Sequence, residues 1–441
     1  MKRLITKKLV SWKNKPKRKP LILQGARQVG KTWILKNFGK KEFTNFYHLD
    51  FEKNKEDFIQ IFNGNLSPKN ILYNISLFLG AEINLKKDLL VFDEIQNVPR
   101  AITSLKYFCE EMPELAICAA GSLLGISFSK ESYPVGKVEH LNLYPLNFEE
   151  FLINYGNENL YAAFIKGIKD KNTTVFIHKK LIALLREFYV TGGMPEVLDI
   201  FFKNKDKLTN IYNEIREIQK GLLISYMKDI NKHSGKTNAL HIDSVFNNIP
   251  MQLAENIDDS VKRYRFKNVI SGKKGYTQLQ GPIDWLLKAD LITKVQICNK
   301  AEIPFKAFSK NNIFKLYLFD VGILGAMLEL PPSVILLGDY AITKGFFVEN
   351  FVVAEMKSTS TSEIYSWAER NSEIEIMIES KGDIIPIEVK SSLRIKAKSL
   401  QQFILKYSPK NAYVLSEKMF SSKEQIKKNI PLYYAAKIRE I

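Results

Sequence analysis

The stretch Leu21-Ile22-Leu23-Gln24-Gly25-Ala26-Arg27-Gln28-Val29-Gly30-Lys31-Thr32 decides the fold of this chain. A short apolar run, a loop opened and closed by glycine, and a helical pattern continuing through Leu35 and Phe38 read as strand, loop, helix. The spacing G-x-x-x-x-G-K-T is that of a phosphate-binding loop. Gly25 and Gly30 permit backbone angles that turn successive N–H groups onto one phosphate, at a helix N-terminus whose dipole favours anions. In that arrangement Gly25, Ala26, Arg27, Gln28, Val29 and Gly30 form the cradle. Lys31 reaches the β- and γ-phosphates of a nucleotide, and the Thr32 hydroxyl ligates magnesium.

About sixty residues later Leu89-Leu90-Val91-Phe92 forms the continuous apolar run of a buried parallel strand, ending in Asp93-Glu94-Ile95-Gln96. Ligands of an open α/β sheet sit at the carboxyl ends of its strands. Asp93 is therefore placed to hold magnesium through water, and Glu94 to orient and deprotonate an attacking water. Two adjacent acids after a strand also suit an ordinary helix start; it is the company of the phosphate loop that favours chemistry. A third strand, Leu115 to Ala120, runs into Gly121-Ser122. Ser122 is the candidate sensor of the γ-phosphate, with a plain turn serine as the alternative.

The ordered set continues with Gly121-Ser122-Leu123-Leu124, Pro134-Val135-Gly136-Lys137-Val138, Leu143 to Phe151, and Gly192-Gly193-Met194-Pro195-Glu196. Together with the two motifs above, it resembles a family of bacterial and archaeal AAA+ ATPases in which an ATPase core precedes a C-terminal domain of unknown function. The resemblance spans nearly the whole chain. It implies ATP and Mg2+ as cofactors, ATP hydrolysis, a helical lid, a winged-helix segment, a nuclease-like C-terminal fold, and a homo-oligomer such as a ring or dimer. The family usually has Gly-Arg where this chain has Gly136-Lys137. A lysine supplies a point charge without the planar, bidentate fork of arginine, so activation of a neighbouring subunit by Lys137 is weakened and slow turnover is expected. Arg27 and Arg186 are the other cations considered for that role.

At 441 residues the chain exceeds one ordinary domain. The expected layout is an AAA+ core with lid over 1–205, a winged-helix region over 206–310, and a nuclease-like domain over 311–441. The 65 Lys+Arg against 47 Asp+Glu give a formal charge of +18, a bias towards polyanions such as DNA or other nucleic acid. With 45% hydrophobic residues, disorder and fibrous architectures are excluded. Three scattered cysteines form neither a disulfide framework nor a zinc cluster, and the basic N-terminus lacks a signal-peptide core. With no bilayer-spanning stretch either, the expectation is a cytoplasmic protein without a membrane partner.

Asn147 and Glu150 read as a capping box opening a mostly helical segment to about Phe202, broken at Gly192-Gly193 and Pro195. Helical periodicity from Lys207 to Ile270 leads to a helix-turn-strand pattern ending in Leu291 to Val295. There Lys273, Lys274, Tyr276, Gln278 and Gln280 are candidate DNA contacts, while Trp285 and Leu286 are core. Lys315 to Phe319 reads as a strand, Gly345 to Met356 as an amphipathic helix carrying Glu349, and Glu373 to Ile378 and Ile385 to Lys390 as a hairpin. On such a hairpin Glu388 and Lys390 share a face beside Glu375. The set Glu349, Glu375, Glu388 and Lys390 resembles the PD-(D/E)-x-K nuclease core, with Glu375 one methylene longer than the usual Asp. The alternative is a surface ion pair. The expected fold class is α/β throughout, and the function an ATP-driven switch or motor acting with nucleic acid. A nuclease gated by its ATPase and a nucleotide-dependent protein-binding module are the alternatives.

Overall fold

The computed structural model describes residues 1–121, 133–205, 211–255, 262–338, 343–360, 362–370, 372–391, 398–421 and 426–441. Ser122 lies outside them. The described residues gather into two compact units, Lys2–Tyr144 with Lys288–Asp290, and Pro145–Leu287 with Leu291–Ile441.

The first unit is built on β1 (Leu21–Gln24), β2 (Asn45–Asp50), β3 (Asp88–Asp93), β4 (Ala116–Ala120) and β5 (Glu139–Asn142). They form one parallel sheet in the order β2-β3-β4-β1-β5. Every residue of β3 and β4 is buried, which explains their unbroken apolar runs: a central parallel strand is covered on both faces. The edge strands β2 and β5 carry Asn45, His48, Glu139, His140 and Asn142, and show no such run. One layer of core packs Phe51 on Phe58 at 4.4 Å between ring centroids, with Phe62 and Phe92 against them.

The second unit opens with helices Phe148–Tyr155, Glu158–Asp170, Val175–Thr191 and Pro195–Asn204. The capping box forms as read: Glu150 N–H donates to Asn147 Oδ1 at 2.9 Å, and Asn147 N–H to Glu150 Oε2 at 3.4 Å. Gly192-Gly193 connects the third and fourth helices. Helices Ile211–Ser234, Lys236–Glu255 and Tyr276–Lys288 follow. Next comes a mixed sheet of β6 (Ile292–Cys298), β7 (Ser309–Leu318), β8 (Tyr365–Glu369), β9 (Ser372–Ser380), β10 (Asp383–Val389), β11 (Ala412–Ser416) and β12 (Lys427–Pro431). Its order is β12-β11-β10-β9-β8-β6-β7. The antiparallel pair β6–β7 is thus one end of this larger sheet, joined to it by parallel pairing of β6 with β8.

Helix Lys344–Thr359 corrects one expectation. It is not amphipathic: Phe346 to Val353, Glu349 and Asn350 included, are all buried, as are Glu355 and Met356. β7, helix Val321–Met327 and the C-terminal segment Leu432–Glu440 cover it from several sides. A helix covered on all sides has no solvated polar face, and the polar groups it buries are bonded within the fold. Among the described residues no helix is long and apolar enough to cross a membrane.

Asp320 ties this unit together. Its carboxylate accepts from Gly193 N–H at 2.6 Å and from Ile323 N–H at 2.9 Å, capping helix Val321–Met327. Burial lifts its pKa to about 6, against the pull of those backbone donors and of Arg216. Gly193 must be glycine, because any Cβ there would run into the carbonyl oxygen of Leu146, whose own N–H bonds the Gly193 carbonyl at 2.7 Å.

Gly193→Ala is therefore expected to lower the melting temperature of this unit, with a cost of about 1–3 kcal/mol for forcing backbone apart. Gly221, inside helix Ile211–Ser234 with open space where a Cβ would go, gives the opposite sign. Gly221→Ala should stabilise by about 0.5–1 kcal/mol. Thermal unfolding followed by circular dichroism separates the two; equal shifts would contradict the packing described.

Candidate functional site

Strand β1 delivers the chain to Gly25 at φ 145°, where a side chain would strike the Leu143 carbonyl. Gln28 takes φ 65° and Gly30 φ 95°. A non-glycine residue in the left-handed region stores strain, and such strain gathers at ligand clamps. Helix Lys31–Glu42 then begins with no side-chain cap on its first turn. Its N–H groups are thereby left to the loop's concavity.

The Lys31 ammonium is buried and donates to the carbonyls of Gly25 at 2.9 Å and Ala26 at 2.8 Å. Burial lowers its pKa to about 8, although Glu94 and Asp93 pull the other way. Asp93, the last residue of β3, is also buried. Burial alone would raise its pKa; hydrogen bonds from His48 and Thr32, with the charge of Lys36, hold it below the usual carboxylate value. His48 Nε2 donates to Asp93 Oδ2 at 2.9 Å. Glu94 adopts φ 52°, so the two neighbouring acids diverge: Asp93 is enclosed while Glu94 is half-buried, with Gln96 Nε2 donating to its Oε2. Gln96 Oε1 is buried with no hydrogen-bond partner.

These features fit a magnesium-bound nucleoside triphosphate. Gly25 has no room for a side chain, the helix start is uncapped, and a buried cation sits beside a carboxylate kept ionised. A single carboxylate with a threonine hydroxyl suits magnesium, which keeps waters and phosphate oxygens as its other ligands. His48 and Gln96 escaped the sequence reading. His48 lies on an edge strand of weak pattern, and only the sheet order, which sets β2 beside β3, brings it to Asp93.

Of the remaining cations, Lys137 pairs with Glu110 at 2.9 Å within the same unit, and that bond raises its pKa. Arg27 lies near enough to Lys31 to depress its pKa. Arg186 belongs to the other unit, where it donates to the carbonyls of Leu336 and Leu337.

The second constellation lies wholly in the larger unit. Lys390 Nζ stands 2.6 Å from Glu388 and 3.8 Å from Glu375, so these three converge. Glu349 instead meets Lys315 Nζ at 2.9 Å and accepts from the Tyr317 hydroxyl, while Lys315 also pairs with Glu373. Burial disfavours the Lys315 ammonium, but Glu349 and Glu373 outweigh it and hold its pKa well above normal. Burial, reinforced by Glu388, lifts Glu375 against the opposing charge of Lys390. Ammonium groups therefore stand between these carboxylates. Among the described residues no three His, Cys, Asp or Glu side chains are placed to hold a metal ion. The arrangement does not fit magnesium as it stands.

The candidate DNA contacts are partly engaged within the fold. Gln278 Oε1 accepts from the N–H groups of Lys274 and Gly275, Tyr276 packs on Phe266 and Phe314, and Lys273 donates to His241. Gln280 reaches Asp284 at 3.4 Å.

Comparison with known proteins matches residues 17–152 to the family described as AAA domain. Two domains of unknown function, DUF8612 and DUF4143, match residues 182–334 and 344–435. No curated protein matches the chain. Similar solved structures include the Walker-type ATPase of Pyrococcus abyssi, 15% identical over 73% of this chain and 94% of that one, TM-score 0.44. The Aeropyrum pernix ORC1 protein in complex with DNA is 11% identical over 75% and 92%, TM-score 0.29. Drosophila ORC bound to DNA is 15% identical over 74% and 94%, TM-score 0.31. The family match and the geometry of the phosphate loop and Asp93 agree: residues 17–152 are similar to an AAA domain and carry its phosphate loop and acid-ended strand.

Proposed function

We propose that this chain is an ATP-driven molecular switch that acts with nucleic acid. The observation that carries it is the buried Lys31 ammonium at an uncapped helix start, with Asp93 held ionised beside Thr32. ATP with magnesium supplies the reactive γ-phosphoryl bond. Residues Gly25 to Gly30 bind its phosphates through their N–H groups, Lys31 neutralises them, and Thr32 with Asp93 holds the metal. Glu94, turned outward by its left-handed backbone, orients water and takes its proton on Oε1, the oxygen that Gln96 does not engage. Ser122 senses the γ-phosphate. In a homo-oligomer Lys137 offers its charge to a neighbour only on leaving Glu110, which keeps turnover slow. The expected division at 310 would cut β7, and β6 and β7 belong to the seven-stranded sheet. That sheet with its helices serves as the nuclease-like fold, which docks on the partner without cutting it, and the helices before β6 serve as the winged-helix region. The charge of +18 supports a polyanionic partner.

Lys31→Ala should abolish binding of a fluorescent ATP analogue. Glu94→Gln should keep binding yet slow phosphate release by about 10²-fold or more. If Glu94→Gln hydrolyses at the parent rate, its assignment as base is wrong.

The pH dependence has a definite sign. Lys31 binds phosphate as the cation, which prevails below its pKa of about 8. ATP affinity should be level below that pH and fall above it, by up to about tenfold per pH unit. Lys31→Arg, if it binds, should remove the fall, since arginine stays charged. A level affinity in the parent protein through about pH 9.5 would contradict the burial of this ammonium.

A further inference from the structure

We infer that a cationic cleft in the larger unit is the binding site for a single-stranded nucleic acid; the inference rests on the nucleic-acid reading above and gives it an address. Arg263, Arg265, Lys310 and Arg370 line a cleft of about 520 Å³ whose apolar wall includes Phe308 and Ile313. All four cations are exposed, and they come from three separate places: the segment before helix Tyr276–Lys288, strand β7, and the turn between β8 and β9. Tyr264 is buried and donates its N–H to the Phe314 carbonyl, which leaves Arg263 and Arg265 on either side of it turned out together. Among the described lining residues Glu369 is the only acid, and it is paired with Lys406.

Glu369 and Arg370 also line an adjoining cleft of about 480 Å³ with Trp367, Gln402 and Lys406, so Arg370 borders both openings. Four cations from distant segments line one concavity, and such a lining attracts a polyanion. The half-buried Phe308 ring adds a stacking face for a base. Cation track plus aromatic platform is the recognition chemistry of single strands. A concavity of this volume takes a strand nucleotide by nucleotide, whereas a duplex is read by an element that enters its groove. The sequence had pointed instead to Lys273, Lys274, Tyr276, Gln278 and Gln280.

The test is fluorescence anisotropy with a fluorescein-labelled single-stranded oligonucleotide and the same sequence as duplex, over a salt series. The parent protein should prefer the single strand, with log affinity falling against log salt by about 0.7 per phosphate neutralised. Arg263→Glu with Arg370→Glu should weaken binding at least about tenfold and flatten that slope. Phe308→Ala should weaken it by roughly tenfold and leave the slope unchanged. Reversal of the exposed Lys179 and Lys180, on helix Val175–Thr191, should do neither. If the parent binds but the arginine reversals leave affinity and slope intact, the cleft is wrong while the nucleic-acid reading stands. A preference for duplex also overturns the cleft. No binding by the parent at low salt overturns both.

Discussion

A lysine ammonium taken out of water is the constraint on which the nucleotide-binding unit depends. Lys31 is buried, and its bonds run to the Gly25 and Ala26 carbonyls. Two neutral acceptors do not replace hydration of a full charge, which is why its pKa falls to about 8. What opposes that fall is the field of Glu94, Asp290 and Asp93. Asp93 in turn remains ionised through His48 and Thr32. Strand order, loop strain and acid placement thus serve one end. The parallel sheet sets the carboxyl ends of β1 and β3 on one edge, and the glycines let the loop fold back over the lysine it encloses.

The larger unit manages part of its buried charge differently, by pairing it. Lys315 lies between Glu349 and Glu373, and Tyr317 donates to Glu349 as well. A buried ion pair adds little net stability, but removal of one partner leaves an uncompensated charge at a cost of about 3–5 kcal/mol. Such a cluster therefore specifies an arrangement more than it strengthens one. It locks helix Lys344–Thr359 against β7 and β9, which the apolar faces alone could let slide. Asp320 plays the same part at Gly193. The larger unit is thus pinned by short carboxylate contacts between segments far apart in the chain.

This difference explains what could be read in advance. The phosphate loop, β3 and β4 were legible because each rests on local pattern: glycine spacing, or an unbroken apolar run covered on both faces. The capping box at Asn147 and Glu150 was legible for the same reason. Strands β2 and β5 were not, since edge strands tolerate polar residues and leave no run. His48 was lost with β2. The convergence of Glu375, Glu388 and Lys390 could be read because a hairpin has period two. The intrusion of Lys315 among the carboxylates could not, because no local pattern announces a partner brought in by the order of a seven-stranded sheet.

Net charge shows the same limit most clearly. The densest basic run, Lys2 to Lys19, invites reading as an arm for polyanions. In the fold much of it is consumed at home. Arg3 donates to the Val29 and Tyr144 carbonyls, Arg18 to those of Lys13 and Glu114, and Lys19 to that of Gly136. Lys13 and Lys15 pair with Glu42 and Glu139. These cations tie the N-terminal segment to helix Lys31–Glu42, to β5 and to the loop after Tyr133, and their charge is spent largely on backbone carbonyls, which count for nothing in a formal sum. Past Lys390 the pattern repeats: Lys410 meets Asp383, Lys437 meets Glu149, and Arg439 bonds the Glu379 carbonyl. A run of basic residues thus measures supply. Where the charge acts is set by which cations the fold gathers around one concavity, and Arg263 and Arg370, far apart in the chain, meet at such a place.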